Sequence, residues 1–312
     1  MTTTLLAIGE SLVDVVEHPD DRGTVEHPGG SPLNIAFGAA RLGLPSTLLT
    51  EIGSDARGRA IVDHLATAGV TLDPSSLRDE PTSSATAVLQ ADGSARYVFD
   101  LRWSLPEGED LPPASIVHTG SIAAFLEPGG AQIVERLRAA TAATVADPPV
   151  VTFDPNMRPS IITDHPAALA RFTEIAGLAT LVKLSDEDAE WLYPDAASLD
   201  EAIDSILALG PALVVVTRGG EGAVLATAAE RVPVPGRPVE VVDTIGAGDS
   251  FMSALIVQLA RMLDAGTSPA RLRDGSAFDA PALAALGDFA ARCAAITVSR
   301  AGANPPTTAD LA

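Results

Sequence analysis

Lysine is nearly absent from this chain. Of its 20 basic residues one is Lys183 and the rest are arginine. A P-loop needs a Gly-Lys step, and Lys183 follows Val182, so there is no Walker A motif. A protein-kinase fold needs a strand lysine together with a His-Arg-Asp loop, and no such loop occurs. Cysteine is reduced to Cys293, which excludes an intrachain disulfide and a Cys-rich metal centre. The five histidines, His18, His27, His64, His118 and His165, show no metal-ligand spacing. Positive charge is scarce as a whole: 41 acidic residues against 20 basic ones give a net charge of −21. A polyanion repels nucleic acid and anionic membrane surfaces, so neither is expected as a partner. No Gly-x-Gly-x-x-Gly follows the first apolar run, where Gly9-Glu10-Ser11 stands, which argues against a nicotinamide-dependent dehydrogenase. The opening residues MTTTLLAIGE lack a basic region followed by a long apolar run. No signal peptide or membrane span is expected from them, and the cytoplasm is the expected compartment.

What is present is an ordinary globular balance, with 46% hydrophobic and 20% charged residues over 312 positions. That is enough chain for a large core, and α/β units of this size often hold together as one domain. Apolar runs suited to buried strands recur at Leu5–Ile8, Thr47–Ile52, Ile116–His118, Val150–Phe153, Leu181–Leu184 and Leu213–Thr217. Helical spacing of apolar residues fills the stretches Pro32–Leu42, Ala56–Ala68, Ala131–Ala143 and Leu199–Leu209. The alternation predicts an α/β fold with a doubly wound, mostly parallel sheet and helices on both faces. Two segments break the pattern. Leu12–Glu17 reads as a strand with no helix before it. Ser84–Gln90 and Ser94–Leu101 flank Ala91-Asp92-Gly93 and read as a hairpin. Together they predict a small accessory sheet. The last third is helical over Gly248–Leu263 and Pro281–Ser299, with a loop over Asp264–Ala280 between.

The strongest chemical signal is the run from Val242 to Phe251. Small residues at Gly246, Ala247 and Gly248 let the backbone turn tightly into a helix, whose N-terminal amides form a cradle for phosphate oxygens. Asp249 then lies in the first turn, where a carboxylate can accept a hydroxyl proton while the amides stabilise a transferring anion. A second signal is Gly29-Gly30-Ser31-Pro32-Leu33-Asn34. The paired glycines allow close approach of backbone to ligand. Pro32 suits a first helical turn with Ser31 as its cap, and Asn34 can offer its amide to a sugar hydroxyl.

These two runs, with Gly9-Glu10 and Asp14 before them, resemble the two signatures of the ribokinase-like (PfkB) carbohydrate kinases, fructokinase branch. Ile52-Gly53-Ser54-Asp55, Asp154-Pro155-Asn156-Met157-Arg158 and Thr217-Arg218-Gly219-Gly220-Glu221-Gly222 agree in order along the chain. The resemblance implies a single kinase domain over residues 1–312, with a β lid built from about 12–28 and 84–103. It implies ATP, Mg²⁺ and K⁺ as cofactors and a homodimer formed through the lid. It assigns Asp249 as general base and Gly246, Ala247 and Gly248 as anion hole. Asp14, Gly30 and Asn34 would bind the sugar, and Thr217, Gly219 and Gly222 the nucleotide. Asp243 and Ile245, with the loop Ser299–Ala303, match carbonyl ligands of a monovalent cation. Ser185 and Asp188 stand where the family has Asn-x-x-Glu. Asp188 would hold water of the Mg²⁺ shell, with Glu187 as the alternative. Lys183, at a strand end, is expected on the ATP phosphates. Arg158 is expected on the transferring phosphoryl group or a sugar oxygen. Arg96, Tyr97, Arg102 and Trp103, on the lid hairpin, are left without a role.

The implied reaction is ATP-dependent phosphorylation of a sugar hydroxyl, with fructose going to fructose 6-phosphate. The alternatives are a 2-keto-3-deoxygluconate kinase, with Arg102 or Arg158 meeting the substrate carboxylate, and a non-catalytic sugar or nucleotide sensor on the same scaffold.

Overall fold

The computed structural model of the chain describes residues 2–17, 23–89, 95–106 and 110–312. The expected turn Ala91-Asp92-Gly93 lies outside them, as do the side chains of Arg96 and Tyr97.

The first half of the chain contributes short strands. They are β1 (Leu5–Ile8), β2 (Leu12–Glu17), β3 (Thr24–Gly29), β4 (Ser46–Leu49) and β5 (Ile52–Gly53), then β6 (Thr71–Leu72), β7 (Leu77–Arg78), β8 (Ser84–Leu89) and β9 (Ala95–Asp100). Helices α1 (Ser31–Arg41) and α2 (Ala56–Ala68) fall between them. The second half alternates regularly: β10 (Ile116–Gly120), α3 (Gly129–Ala140), β11 (Val150–Asp154), α4 (His165–Ala176), β12 (Leu181–Ser185), α5 (Asp186–Leu192), α6 (Leu199–Leu207) and β13 (Leu213–Thr217). An antiparallel pair, β14 (Gly222–Ala226) and β15 (Arg231–Pro235), then precedes α7 (Ala247–Asp264), α8 (Pro269–Arg273) and α9 (Ala280–Val298).

One sheet holds the strands in the order β15-β14-β13-β12-β11-β10-β1-β4-β6, parallel from β13 to β6. The chain winds from β1 outward through β4 and β6, then returns to β10 and winds the other way. The reversal lies between β1 and β10, and crevices at the carboxyl ends of such strands are where open α/β sheets take ligands.

The strand alternation sends Leu6, Ile8, Val117, Phe153, Val182 and Val216 into a core under α3 to α6. The opposite face sends Leu5, Ile116, Val150, Leu181 and Val215 toward α7 and α9. On that second face the positions one step further along β10, β11 and β12 are polar: His118, Thr152, Asp154 and Lys183, all buried. Helix α9 is long and apolar enough to cross a membrane, but Leu283, Leu286, Ala290 and Cys293 are buried in this core, where it packs on α7.

The accessory sheet has the order β3-β2-β8-β9. Strands β8 and β9 pair antiparallel, as expected of a hairpin, and β2 pairs parallel with β8. Several expectations are corrected. The run Thr47–Ile52 splits because the Thr50 amide turns to Ser76 Oγ (3.0 Å) and its hydroxyl to Ser11 Oγ (3.0 Å). The loop Asp264–Ala280 contains α8, capped by Ser268. Ser31 is not the cap of α1. Gly30 takes that position at φ 111°, and Ser31 is the first helical residue.

Gly120 ends β10 in a space only hydrogen can fill. A Cβ there would lie 1.9 Å from the Asp154 carbonyl oxygen, which accepts the Ser121 amide at 2.9 Å. Gly120→Ala is expected to cost about 2–3 kcal/mol, in the range for overpacking a core. A urea midpoint unchanged from the parent would refute this.

Candidate active site

The carboxyl ends of β1, β10 and β11 open into a cleft of about 730 Å³. Its floor carries Glu10, Ser31, Asn34, Ser121 and the run Thr244–Asp249; its far wall carries Asp14, Val16, Ala85, Ala87 and Phe99 from the accessory sheet, with Leu101 just after it. The expected residues Asp14, Gly30, Asn34, Arg158, Ile245, Gly246, Ala247, Gly248 and Asp249 all line this one cleft.

Gly246 enters α7 at φ 75°, a left-handed conformation that glycine adopts at little cost. Asp249 then falls in the first turn of α7. Its Oδ1 accepts the Ser31 hydroxyl at 2.6 Å and its Oδ2 accepts the Asn34 amide at 2.8 Å. Asp249 is therefore held by two neutral donors at the point where α1 and α7 both begin.

Asp14 lies on the wall with its carboxyl folded over Gly29, where a Cβ would sit 2.3 Å from Asp14 Oδ2. The surrounding protein pushes the Asp14 carboxyl up, while His27 and Arg158 pull it down. Arg158 is exposed at the cleft edge, with its guanidinium donating to Asn156 Oδ1 at 2.8 Å and to the Met157 carbonyl at 2.9 Å. Arg102 does not reach this cleft. It pairs with Asp100 at 3.3 Å and borders a separate depression beside Trp103.

The nucleotide residues expected from sequence, Thr217, Gly219 and Gly222, do not line this cleft. Thr217 is in register with Ser185 at the ends of β13 and β12. Gly219 is open, at φ 48°, with no atom within 4 Å of an added Cβ. Gly222 has a packing reason of its own: a Cβ would lie 2.0 Å from the Val234 carbonyl oxygen.

Three residues sit otherwise than expected. Asp188 is buried, with Oδ1 accepting the Met157 amide at 2.9 Å and Oδ2 the Ser185 amide at 3.1 Å. Ser185 Oγ accepts the Asp188 amide at 3.0 Å in return, a capping box that starts α5. Ser185 and Asp188 thus serve each other and the Met157 loop, where sequence places them on nucleotide and Mg²⁺ water. Lys183 is 4% exposed and its Nζ pairs with Asp154 Oδ2 at 2.9 Å. Burial alone would push its ammonium down, but Asp154, Asp188 and Asp249 outweigh it and keep the proton on. Burial pushes the Asp154 carboxyl up to about 6 against the pull of Lys183.

Asp243 Oδ1 accepts the Ile245 amide at 3.0 Å and its Oδ2 the Gly302 amide at 2.9 Å. These bonds bring the 243–245 segment and the 299–303 loop together. The carboxylate is committed to amides, so a cation there would meet carbonyls. No group of three or more His, Cys, Asp or Glu stands in metal-binding arrangement among the described residues.

Sequence reasoning gave no role to Glu10. It is buried under the cleft, with Oε2 accepting the Ala123 amide at 3.1 Å. Burial pushes its carboxyl up to about 7, while hydrogen bonds from Ser121 and the amides of Glu10, Ala123 and Ser31 pull it back. Its signal in sequence is faint: an acid one glycine beyond an apolar run. Because its native pKa lies above the ordinary value of 4.5, its stabilising contribution is complete below about pH 4.5 and is lost as pH rises through 7. Glu10→Gln removes that loss. Relative to the parent, the variant is expected to gain roughly 3 kcal/mol between pH 4.5 and 8. Urea unfolding of both proteins across that range checks this, and parallel pH profiles would refute it.

The family model for pfkB family carbohydrate kinases matches residues 2–310. The chain is 32% identical to a fructokinase of Rhizobium leguminosarum bv. trifolii, over 82% of this chain and 79% of that protein. It is 31% identical to fructokinase-2 of Oryza sativa subsp. japonica, over 98% of this chain and 91% of that protein. Among solved structures, fructokinase with bound ATP from Xylella fastidiosa superposes with a TM-score of 0.82 at 26% identity, covering 100% of this chain and 97% of that one. Motif, fold and relatives agree: the chain belongs to the pfkB family of carbohydrate kinases.

Proposed function

We propose that the chain transfers the γ-phosphoryl group of ATP to the 6-hydroxyl of fructose. The observation that carries this is the Asp249 carboxylate, fixed by Ser31 and Asn34 at the floor of a cleft large enough for a hexose. The fructokinase relatives support the choice of sugar.

Phosphoryl transfer asks mainly for positioning and for stabilisation of charge on the transferring group. Asp14, Gly30, Asn34 and Arg158 orient the sugar. Asp249 takes the proton of its attacking hydroxyl. Gly246, Ala247 and Gly248 offer helix N-terminal amides to the phosphoryl oxygens. ATP approaches from the side of Thr217 and Gly219, so donor and acceptor meet at the start of α7. Mg²⁺ offsets the phosphate charge that a protein of net charge −21 would otherwise repel. The carbonyls of Asp243 and Ile245 would hold K⁺, on a segment that the Asp243–Gly302 bond ties to the 299–303 loop. The accessory sheet acts as a lid on a single kinase domain and excludes water from the transfer. Its outer strands expose Val25 and Val98, which suits pairing with a second copy. The proposed compartment is the cytoplasm.

A second reading, phosphorylation of 2-keto-3-deoxygluconate, is favoured by Arg158, whose guanidinium borders the cleft within the field of Asp14. Competition between the two sugars, with ATP and Mg²⁺ and with or without K⁺, decides between them. Fructose is expected to give the higher kcat/KM, and no turnover on fructose sinks the first reading. Asp249→Asn is expected to lower kcat by about 10²–10⁴ with sugar binding largely kept, as read by calorimetry. Near-parental turnover in that variant would remove Asp249 from the role of base.

A further inference from the structure

Lys183 lies one layer of backbone behind the proposed anion hole. The cleft is lined by Gly246, Ala247, Gly248 and Asp249, and Lys183 does not line it. A methyl group placed on Gly248 would lie 3.1 Å from Lys183 Nζ, and no other atom outside the local helix backbone and the glycine's neighbours comes within 4 Å of that point. The ion pair is therefore polarised. Its positive end abuts the first turn of α7, while no atom of Asp154, on β11, comes within 4 Å of the same point. The charges facing this ammonium are Asp154, Asp188 and Asp249. His118, on the neighbouring strand, adds none, because burial and the Lys183 charge hold its imidazole down at about 3.

Stability alone does not call for this pair, since a well-packed apolar pair of similar volume often holds a core as well or better. What an apolar pair cannot supply is a fixed positive charge behind the helix start. We propose that Lys183 is a positioning residue for phosphoryl transfer: held by Asp154, it stabilises the negative charge gathering at the Gly246–Gly248 turn without touching the phosphoryl group. This rests on the sugar-kinase reading above.

The test compares the parent with Lys183→Met/Asp154→Asn, which neutralises both partners, with Asp154→Asn, which keeps the cation, and with Lys183→Arg. The neutral double variant is expected to fold with a near-parental Tm and to lose about 10- to 100-fold in kcat, by analogy with loss of one oxyanion-hole donor, while both KM values stay within about threefold. Asp154→Asn is expected to keep most of kcat, and Lys183→Arg to recover part of it. A merely structural pair predicts the opposite: kcat follows Tm, and the folded double variant turns over like the parent. That result would overturn the proposal, as would a loss in Asp154→Asn equal to that in the double variant. Parental turnover on any sugar tests the functional reading separately. Binding of ADP with aluminium fluoride, a mimic of the transferring phosphoryl group, reads Lys183 without turnover. Binding about tenfold weaker in the double variant supports the inference, and equal binding overturns it.

Discussion

Two helices begin at the same carboxylate, and the site depends on that meeting. Helix α1 contributes Ser31 and Asn34, and helix α7 contributes Asp249. Both N-terminal dipole ends converge there, which favours negative charge at that spot whether it belongs to a side chain or to a ligand. The helices also approach closely further along. Gly38 on α1 faces Ser253 on α7, where a Cβ would lie 2.6 Å from the serine oxygen, and the Ser253 hydroxyl, which donates to the Asp249 carbonyl at 2.7 Å, lies 3.2 Å from the Ile35 carbonyl of α1. A displacement of either helix along its axis would separate Asp249 from its two donors. The sheet beneath fixes the other half of the cleft, because its reversal of winding leaves the ends of β1 and β10 free of crossing loops. Glu10 and Ser121 leave from those ends and complete the floor.

The face of the sheet under α7 is apolar at one end and polar at the other. Leu181 and Lys183 share one side of β12, and Val150, Thr152 and Asp154 share one side of β11. His118 meets Thr152 at 3.0 Å, and Lys183 meets Asp154. The core therefore grades into the site through polar groups that pair with one another, with His118 Nε2 and Asp154 Oδ1 finding no hydrogen-bond partner among the described residues. Burial and the Lys183 charge keep His118 neutral, while Asp154, Asp188 and Asp249 keep Lys183 charged against its burial.

Much of this was legible in the chain. The apolar runs of β1, β10, β12 and β13 and the span of α2 follow from period and breakers, because buried parallel strands and amphipathic helices carry strong local patterns. The pair β14 and β15 did not, since Gly222, Pro233 and Pro235 read as loop, and only an edge position tolerates such prolines. At the site, the turn before Asp249 was readable because its small residues and its acid are contiguous. The bond from Ser31 to Asp249 spans 218 residues, and that from Lys183 to Asp154 spans 29. A serine before a helix reads locally as a cap, and a lysine at a strand end as a phosphate contact. Only the sheet order, which sets β11 beside β12 and α1 beside α7, reassigns them. Asp188 shows the same limit. Its spacing resembles a metal-facing acid, yet its shorter side chain closes back on Ser185 and Met157.

The chain's one lysine is buried. The folded surface thus offers no lysine amine to any reagent or modifying enzyme. Its cations are guanidinium groups, which acylating reagents leave alone at neutral pH because they stay protonated. Amine-directed chemistry on a lysine in this protein therefore reports the opening of the β11–β12 seam, a built-in probe of unfolding at the layer that supports the site.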